Sequence, residues 1–155
     1  PHPTCAISDW IEVQQIVPGD TIPSEAKFAT WVETVWRTTC NLPGEVVIRI
    51  VDLEEMRELN QRYRGKNAPT NVLSFPAGEV PGPRPLLGDI AICAPVVVAE
   101  AAEQNYPLEA HWAHLCVHGV LHLLGYDHIH AAEADVMEAL EVRLLAELAY
   151  PSPYE

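Results

Sequence analysis

Apolar positions along this chain follow two rhythms, one helical and one strand-like. Phe28, Trp31, Val32, Val35 and Trp36 recur at i, i+3, i+4, i+7 and i+8, which predicts a helix with one buried stripe, opened by Pro23 and Ser24. Both tryptophans read as core. Upstream, residues 4–17 lean towards strand, with Ile11, Val13 and Ile16 among polar neighbours. After Pro43-Gly44 the β-branched run EVVIRIVD at 45–52 predicts a second strand. Asp52 then caps a helix over about 53–62, with Leu53, Met56, Leu59 and Tyr63 expected inward. TNVLSFP at 70–76 reads as a short strand stopped by Pro76, and residues 77–86, dense in Pro and Gly, as an exposed loop. LGDIAIC at 87–93 is the next strand, and Pro95 starts a helix to about Gln104. Pro107 opens a histidine-bearing helix that Gly125 ends. A last helix spans about 131–149, with Met137, Leu140, Leu144 and Leu148 as its core stripe. The sum is an α+β fold: one domain over residues 1–155, a mixed sheet of about four strands packed with about five helices.

Composition agrees with a packed domain. Of 155 residues 48% are hydrophobic and 20% charged, which excludes a disordered chain. The longest apolar runs fall far short of a bilayer span, so no membrane partner is expected. No secretory signal pattern is visible, and Cys5, Cys40, Cys93 and Cys116 are too scattered for a disulfide framework or a thiolate metal site. Buried thiols in a reducing cytoplasm are expected.

A net charge of −13 argues against a protein that simply coats nucleic acid. The distribution changes that picture. From Asp89 onward there are eleven acidic residues and one basic, Arg143, whereas Arg57, Arg62, Arg64 and Lys66 crowd ten positions. A polyanion would bind there, unless Glu54, Glu55 and Glu58 pair with these cations along the helix.

HGVLHLLGYDH, from His118 to His128, carries the most specific chemistry. At 100° per residue, His118 and His122 stand about 40° apart and one turn along the axis, so both imidazoles can reach one ion. Gly125 permits a left-handed turn that can bring His128 back towards it. Three neutral imidazoles with an open fourth position make a catalytic type of zinc site, and the spacing equals that of metzincin peptidases. His114 offers a rival trio with His118 and His122, but its outer members diverge by about 80° and about 12 Å. It suits a supporting or substrate-contacting place. Cys116 lies on the opposite face and reads as core, while His111 and His130 match no ligand spacing and read as surface.

Gly119 stands where a zinc peptidase has its glutamate base. Peptide hydrolysis by the usual route is therefore disfavoured, although Asp127 remains near enough in sequence to act. Glycine is also expected to leave room over the ion for a bulky substrate. Zinc lowers the pKa of water towards 7, which lessens the need for a base. An anionic substrate still needs a cationic grip, and Arg64 is the natural candidate.

HGVLHLLGYDH, NQRYRGKNAPTNVLSFP at 60–76 and LLGDIAIC at 86–93 together resemble the YbeY family of bacterial ribosomal-RNA maturation endoribonucleases, over nearly the whole chain. The resemblance implies a mixed sheet packed with helices, one zinc ion per chain, and hydrolytic cleavage of single-stranded RNA rather than DNA. It also implies maturation of the 3′ end of small-subunit ribosomal RNA, ribosome quality control, and the small subunit or its assembly factors as partners. Carried over by position, His118, His122 and His128 are metal ligands and Arg64 the catalytic arginine. Asn71 stands where many members have Asp, which counts against a catalytic role there. The resulting expectation is a cytoplasmic zinc endoribonuclease with RNA along Arg57, Arg62 and Lys66, the base being unassigned between Asp127 and His114. A metallopeptidase-like hydrolase and a non-catalytic, zinc-stabilised ribosome-assembly factor are the rival readings.

Overall fold

Ser24 starts the first helix by accepting the Lys27 amide on Oγ at 3.3 Å. The computed structural model describes residues 10–19, 21–39, 44–77, 86–126 and 131–154. Along these run β1 (Ile11–Gln15), α1 (Glu25–Thr39), β2 (Glu45–Val51), α2 (Leu53–Arg64), β3 (Val72–Pro76), β4 (Leu86–Cys93), α3 (Ala94–Glu103), α4 (Leu108–Leu123) and α5 (Ala131–Glu147). The order across the sheet is β1-β2-β4-β3. The first three strands are parallel and β3 is antiparallel to β4. The chain is thus a single α+β domain with a mixed sheet, as its patterning predicts.

Parallel strands need covering on both faces, because the connections between them cross over as helices. The alternation inside β2 and β4 satisfies this. Val46, Ile48, Ile50, Ile90 and Ile92 pack into one core with α1, α4 and α5. Val51, Ala91 and Cys93 turn the other way and join Leu73 and Met56 in a smaller cluster under α2. Phe28, Trp31, Val32, Val35 and Trp36 are all buried, as expected of one stripe. Phe28 meets Trp112 of α4 edge to face at 6.1 Å.

Helix α2 departs from its expected stripe. Asp52 does cap it, accepting the Glu55 amide at 2.8 Å, and Met56 is fully buried. Leu53 and Tyr63, however, are 48% and 59% exposed, and Asn60 is buried instead. The cluster beneath α2 is small, so the helix touches it with its middle and both ends overhang. Asn60 is tolerated inside because its Nδ2 donates to the Ala68 carbonyl at 2.7 Å. Most of the expected 77–86 loop, and the first part of the 4–17 segment, lie outside the described residues.

Helix α4 is the hub. It is buried along most of its length and packs on α1, α3, α5, β3 and β4. At Gly119 its backbone comes so close to β4 that an added Cβ would stand 3.0 Å from both Cδ1 and Cγ2 of Ile90. Ser74 of β3 closes the same contact by donating its hydroxyl to the Gly119 carbonyl at 3.1 Å. The expectation that this glycine opens space over an ion is therefore corrected. Position 119 points at the sheet, and its missing side chain lets the helix seat. Gly119→Ala should cost about 1–3 kcal/mol by overpacking, read as a lower urea midpoint at unchanged m value.

Candidate metal centre

Among the described residues, His111, His114, His118 and His122 run along α4, and each meets a partner. The ring nitrogens Nε2 of His118 and His122 are 3.1 Å apart. On the other side of its ring, His118 places Nδ1 2.6 Å from Oε2 of Glu141. Glu141 comes from α5, is 1% exposed, and turns its second oxygen, Oε1, to His114 Nε2 at 2.9 Å. Tyr154 of the C-terminal segment donates its hydroxyl to that same Oε1.

This carboxylate was not singled out from the sequence, though a signal existed. Glu141 interrupts the α5 stripe between Met137 and Leu144, where a carboxylate can be buried only if it is paired. Burial alone would push its pKa up. The hydrogen bonds from His114 and His118 outweigh that and hold it down, at about 2. An ionised carboxylate only accepts, so His118 donates from Nδ1 and His114 from Nε2. Burial, with Glu141 alongside, raises the Tyr154 hydroxyl pKa, so it too stays a donor.

Two sets of atoms have the chemistry to hold a metal. His114, His118 and Glu141 present ligand atoms within 4.8 Å of one another, a group that could bind an ion. Their contacts of 2.6 and 2.9 Å, though, are lengths of direct hydrogen bonds. Two ligands of one tetrahedral zinc stand roughly 3.3 Å apart. The facing Nε2 atoms of His118 and His122, at 3.1 Å, come within a few tenths of an ångström of that spacing. These two imidazoles fit a shared ion with little movement. Past them, Gly125 takes φ 99° and Tyr126 N donates to Leu121 O at 3.0 Å, which turns the chain at the end of the helix. His128, Asp127 and His130 lie outside the described residues.

Other positions settle differently. His111, expected at the surface, is 3% exposed and pairs through Nε2 with Glu100 Oε1 at 2.9 Å. Helix α3 packs on α4 and encloses it, a tertiary fact that ligand spacing does not reveal. Glu100 is also held by Asn71 Nδ2 at 3.1 Å. An aspartate at 71 would set two carboxylates against each other, so asparagine suits this chain. Cys116 is buried and its thiol pKa is pushed up by burial, in keeping with a core residue; Cys93 is buried as well.

Arg57, Arg62, Arg64 and Lys66 are exposed, and none forms an ion pair among the described residues. Glu55, offered above as a partner for them, pairs with Arg49 of β2. The cations therefore remain available to an outside anion. Arg64 closes α2, on the sheet face away from the histidines, and no described hydrogen bond joins it to them. The two are related through the edge strand. Phe75 of β3 meets Tyr63, 4.8 Å between rings, on the α2 side, while the next residue, Ser74, touches Gly119 on the other.

Fold and site together define a class: an α+β domain in which a sheet-backed helix presents a group of histidines, with Glu141 beside them, that could hold a metal ion. The family model for Endoribonuclease YbeY matches residues 15–149, and the chain belongs to that family of RNA-cleaving hydrolases of ribosomal RNA processing. Among solved structures it is similar to TM1509 from Thermotoga maritima, determined in solution, at 26% identity and a TM-score of 0.54. That match covers 90% of this chain and 91% of the other. Among the described residues, no helix is long and apolar enough to cross a membrane.

Burial, partly offset by Glu100, lowers the His111 pKa from its ordinary 6.5. Below about pH 6.5 the unfolded chain gains a proton that the folded chain resists, so this residue's contribution to stability falls as pH falls. His111→Gln, which keeps a donor for Glu100, should flatten the melting temperature between about pH 6.5 and 5 relative to the parent chain. Calorimetry across that range checks it.

Proposed function

We propose that this chain is one metal-dependent hydrolase domain over residues 1–155: a cytoplasmic, zinc-dependent endoribonuclease specific for single-stranded RNA. Its task in this reading is maturation of the 3′ end of small-subunit ribosomal RNA, and ribosome quality control, in contact with the small subunit or its assembly factors. The observation that carries the metal part is the pair of facing Nε2 atoms, 3.1 Å apart, with the far nitrogen of His118 tied to Glu141. His118 and His122 hold the ion, and His128, three residues past the turning Gly125, supplies the third nitrogen. Zinc suits three imidazoles and would supply Lewis acidity towards the scissile phosphate and the attacking water.

The chain's own residues do the rest. Arg64 offers a planar guanidinium for two phosphate oxygens and offsets charge that grows as the phosphorus is attacked. Arg57, Arg62 and Lys66 hold the neighbouring backbone by displacing counterions. Because α2 lies on the other face of the sheet from α4, the guanidinium at its overhanging end would reach the scissile phosphate round the outer edge of β3, and the RNA strand follows that edge. An extended single strand can follow that path more readily than a stiff duplex. His114 is engaged with Glu141 behind the ligands, which leaves Asp127 as the candidate base.

The test sets single-stranded RNA, duplex RNA and casein before the zinc-loaded chain, each with a chelator control. Chelator-sensitive cleavage of single strands alone is expected. In Arg64→Ala turnover should fall on the order of 10²-fold while zinc stays at about one per chain. Zinc loss in that variant would undo the arginine's assignment. Chelator-sensitive casein hydrolysis would favour a peptidase. A chelator-sensitive melting transition without cleavage of any substrate would favour a zinc-stabilised assembly factor.

A further inference from the structure

Glu141 is the most thoroughly enclosed charge among the described residues, and its partners are few and specific. Its two oxygens take three donors: His118 Nδ1 at 2.6 Å on one, and His114 Nε2 at 2.9 Å with the Tyr154 hydroxyl on the other. The first of these residues is a proposed ligand, the second is a helical neighbour, and the third comes from the far end of the chain. A buried carboxylate with no function would be a cost to the fold, since a hydrophobic residue in the α5 stripe would serve packing as well.

We propose that Glu141 is the positioning residue of the histidine site: by accepting the Nδ1 proton of His118 it fixes the tautomer and ring angle that present Nε2 as a lone pair beside His122, while His114 and Tyr154 hold the carboxylate in place.

The inference rests on the reading of His118 and His122 as ligands, and it adds residues from two segments that carry none of the ligands. The argument is one of valence. Neutral imidazole has one donor and one acceptor nitrogen, and a bond to an acceptor-only carboxylate decides which is which. That bond selects the form protonated on Nδ1, and the form protonated on Nε2 cannot ligate. A carboxylate on the far nitrogen also makes the imidazole more basic. The fork at Oε1 explains why the carboxylate itself does not wander: two donors hold one oxygen while the other faces His118. Tyr154 reaches it because the C-terminal segment lies back across α4, where Tyr150 also donates to Glu109.

The experiment measures zinc affinity of the full chain by competition with a chromophoric chelator, beside melting of the metal-free chain, for the parent, Glu141→Gln and Tyr154→Phe. Glu141→Gln should bind zinc about 10–100-fold more weakly. Tyr154→Phe should lose less, about two- to tenfold, since it removes one hydroxyl and leaves the carboxylate. Zinc affinity equal to the parent's in Glu141→Gln would overturn the proposal, whatever happens to its melting temperature. Should that variant not fold, nitrogen-15 NMR of His118 in the metal-free parent decides: the Nδ1–H tautomer is expected, and a predominant Nε2–H form overturns it. A parent chain that takes up no zinc at all would instead defeat the underlying metal reading, a result distinct from a parent that binds and a variant that binds equally well.

Discussion

Backbone-to-sheet contact at Gly119 is the constraint from which the histidine helix takes its place. With no side chain between α4 and Ile90, and with Ser74 closing on the carbonyl, the helix seats close against β4 in the rotation this contact sets. That rotation turns His118 and His122 together to one side and leaves Cys116 and Val120 in the core. The residue that looked like a vacancy in a peptidase motif is a packing requirement. A glutamate there would press its Cβ to 3.0 Å from the Ile90 side chain, so its absence is a property of this fold as well as of its chemistry.

The strongly periodic parts of the chain were legible from sequence, and for a physical reason. One face of α1 is buried against a continuous core, so its stripe of Phe28, Trp31, Val32, Val35 and Trp36 reports tertiary structure directly. The β-branched runs of β2 and β4 do the same for a sheet covered on both faces. Helix α2 was misread at Leu53 and Tyr63 because its cluster is too small to bury a full stripe. Ligand spacing singled out the helical histidines, since i and i+4 geometry is local. Partners were not legible: the pairings of Glu141 with His118, and of Glu100 with His111, join residues 23 and 11 apart through packing of separate helices. Only the odd carboxylate in an apolar stripe hinted at the first.

A net charge of −13 and an RNA substrate are reconciled by position. The cations at Arg57, Arg62, Arg64 and Lys66 sit together on one side of the edge strand, outside any described ion pair. The acidic remainder, spread over the later helices, repels phosphate within roughly 8 Å at physiological salt. Such a surface disfavours indiscriminate binding while leaving one approach open.

The order in which the parts leave the ribosome gives the buried carboxylate a temporal meaning. Imidazoles on α4 emerge before α5, so the bond from His118 Nδ1 to Glu141, which is proposed to set the tautomer, forms only once α5 docks. On that proposal a nascent chain without α5 would compete poorly for scarce cations, and ion capture would follow the docking of that helix. Premature termination before Glu141 would leave the histidines in sequence yet without the carboxylate that pairs with His118 and His114.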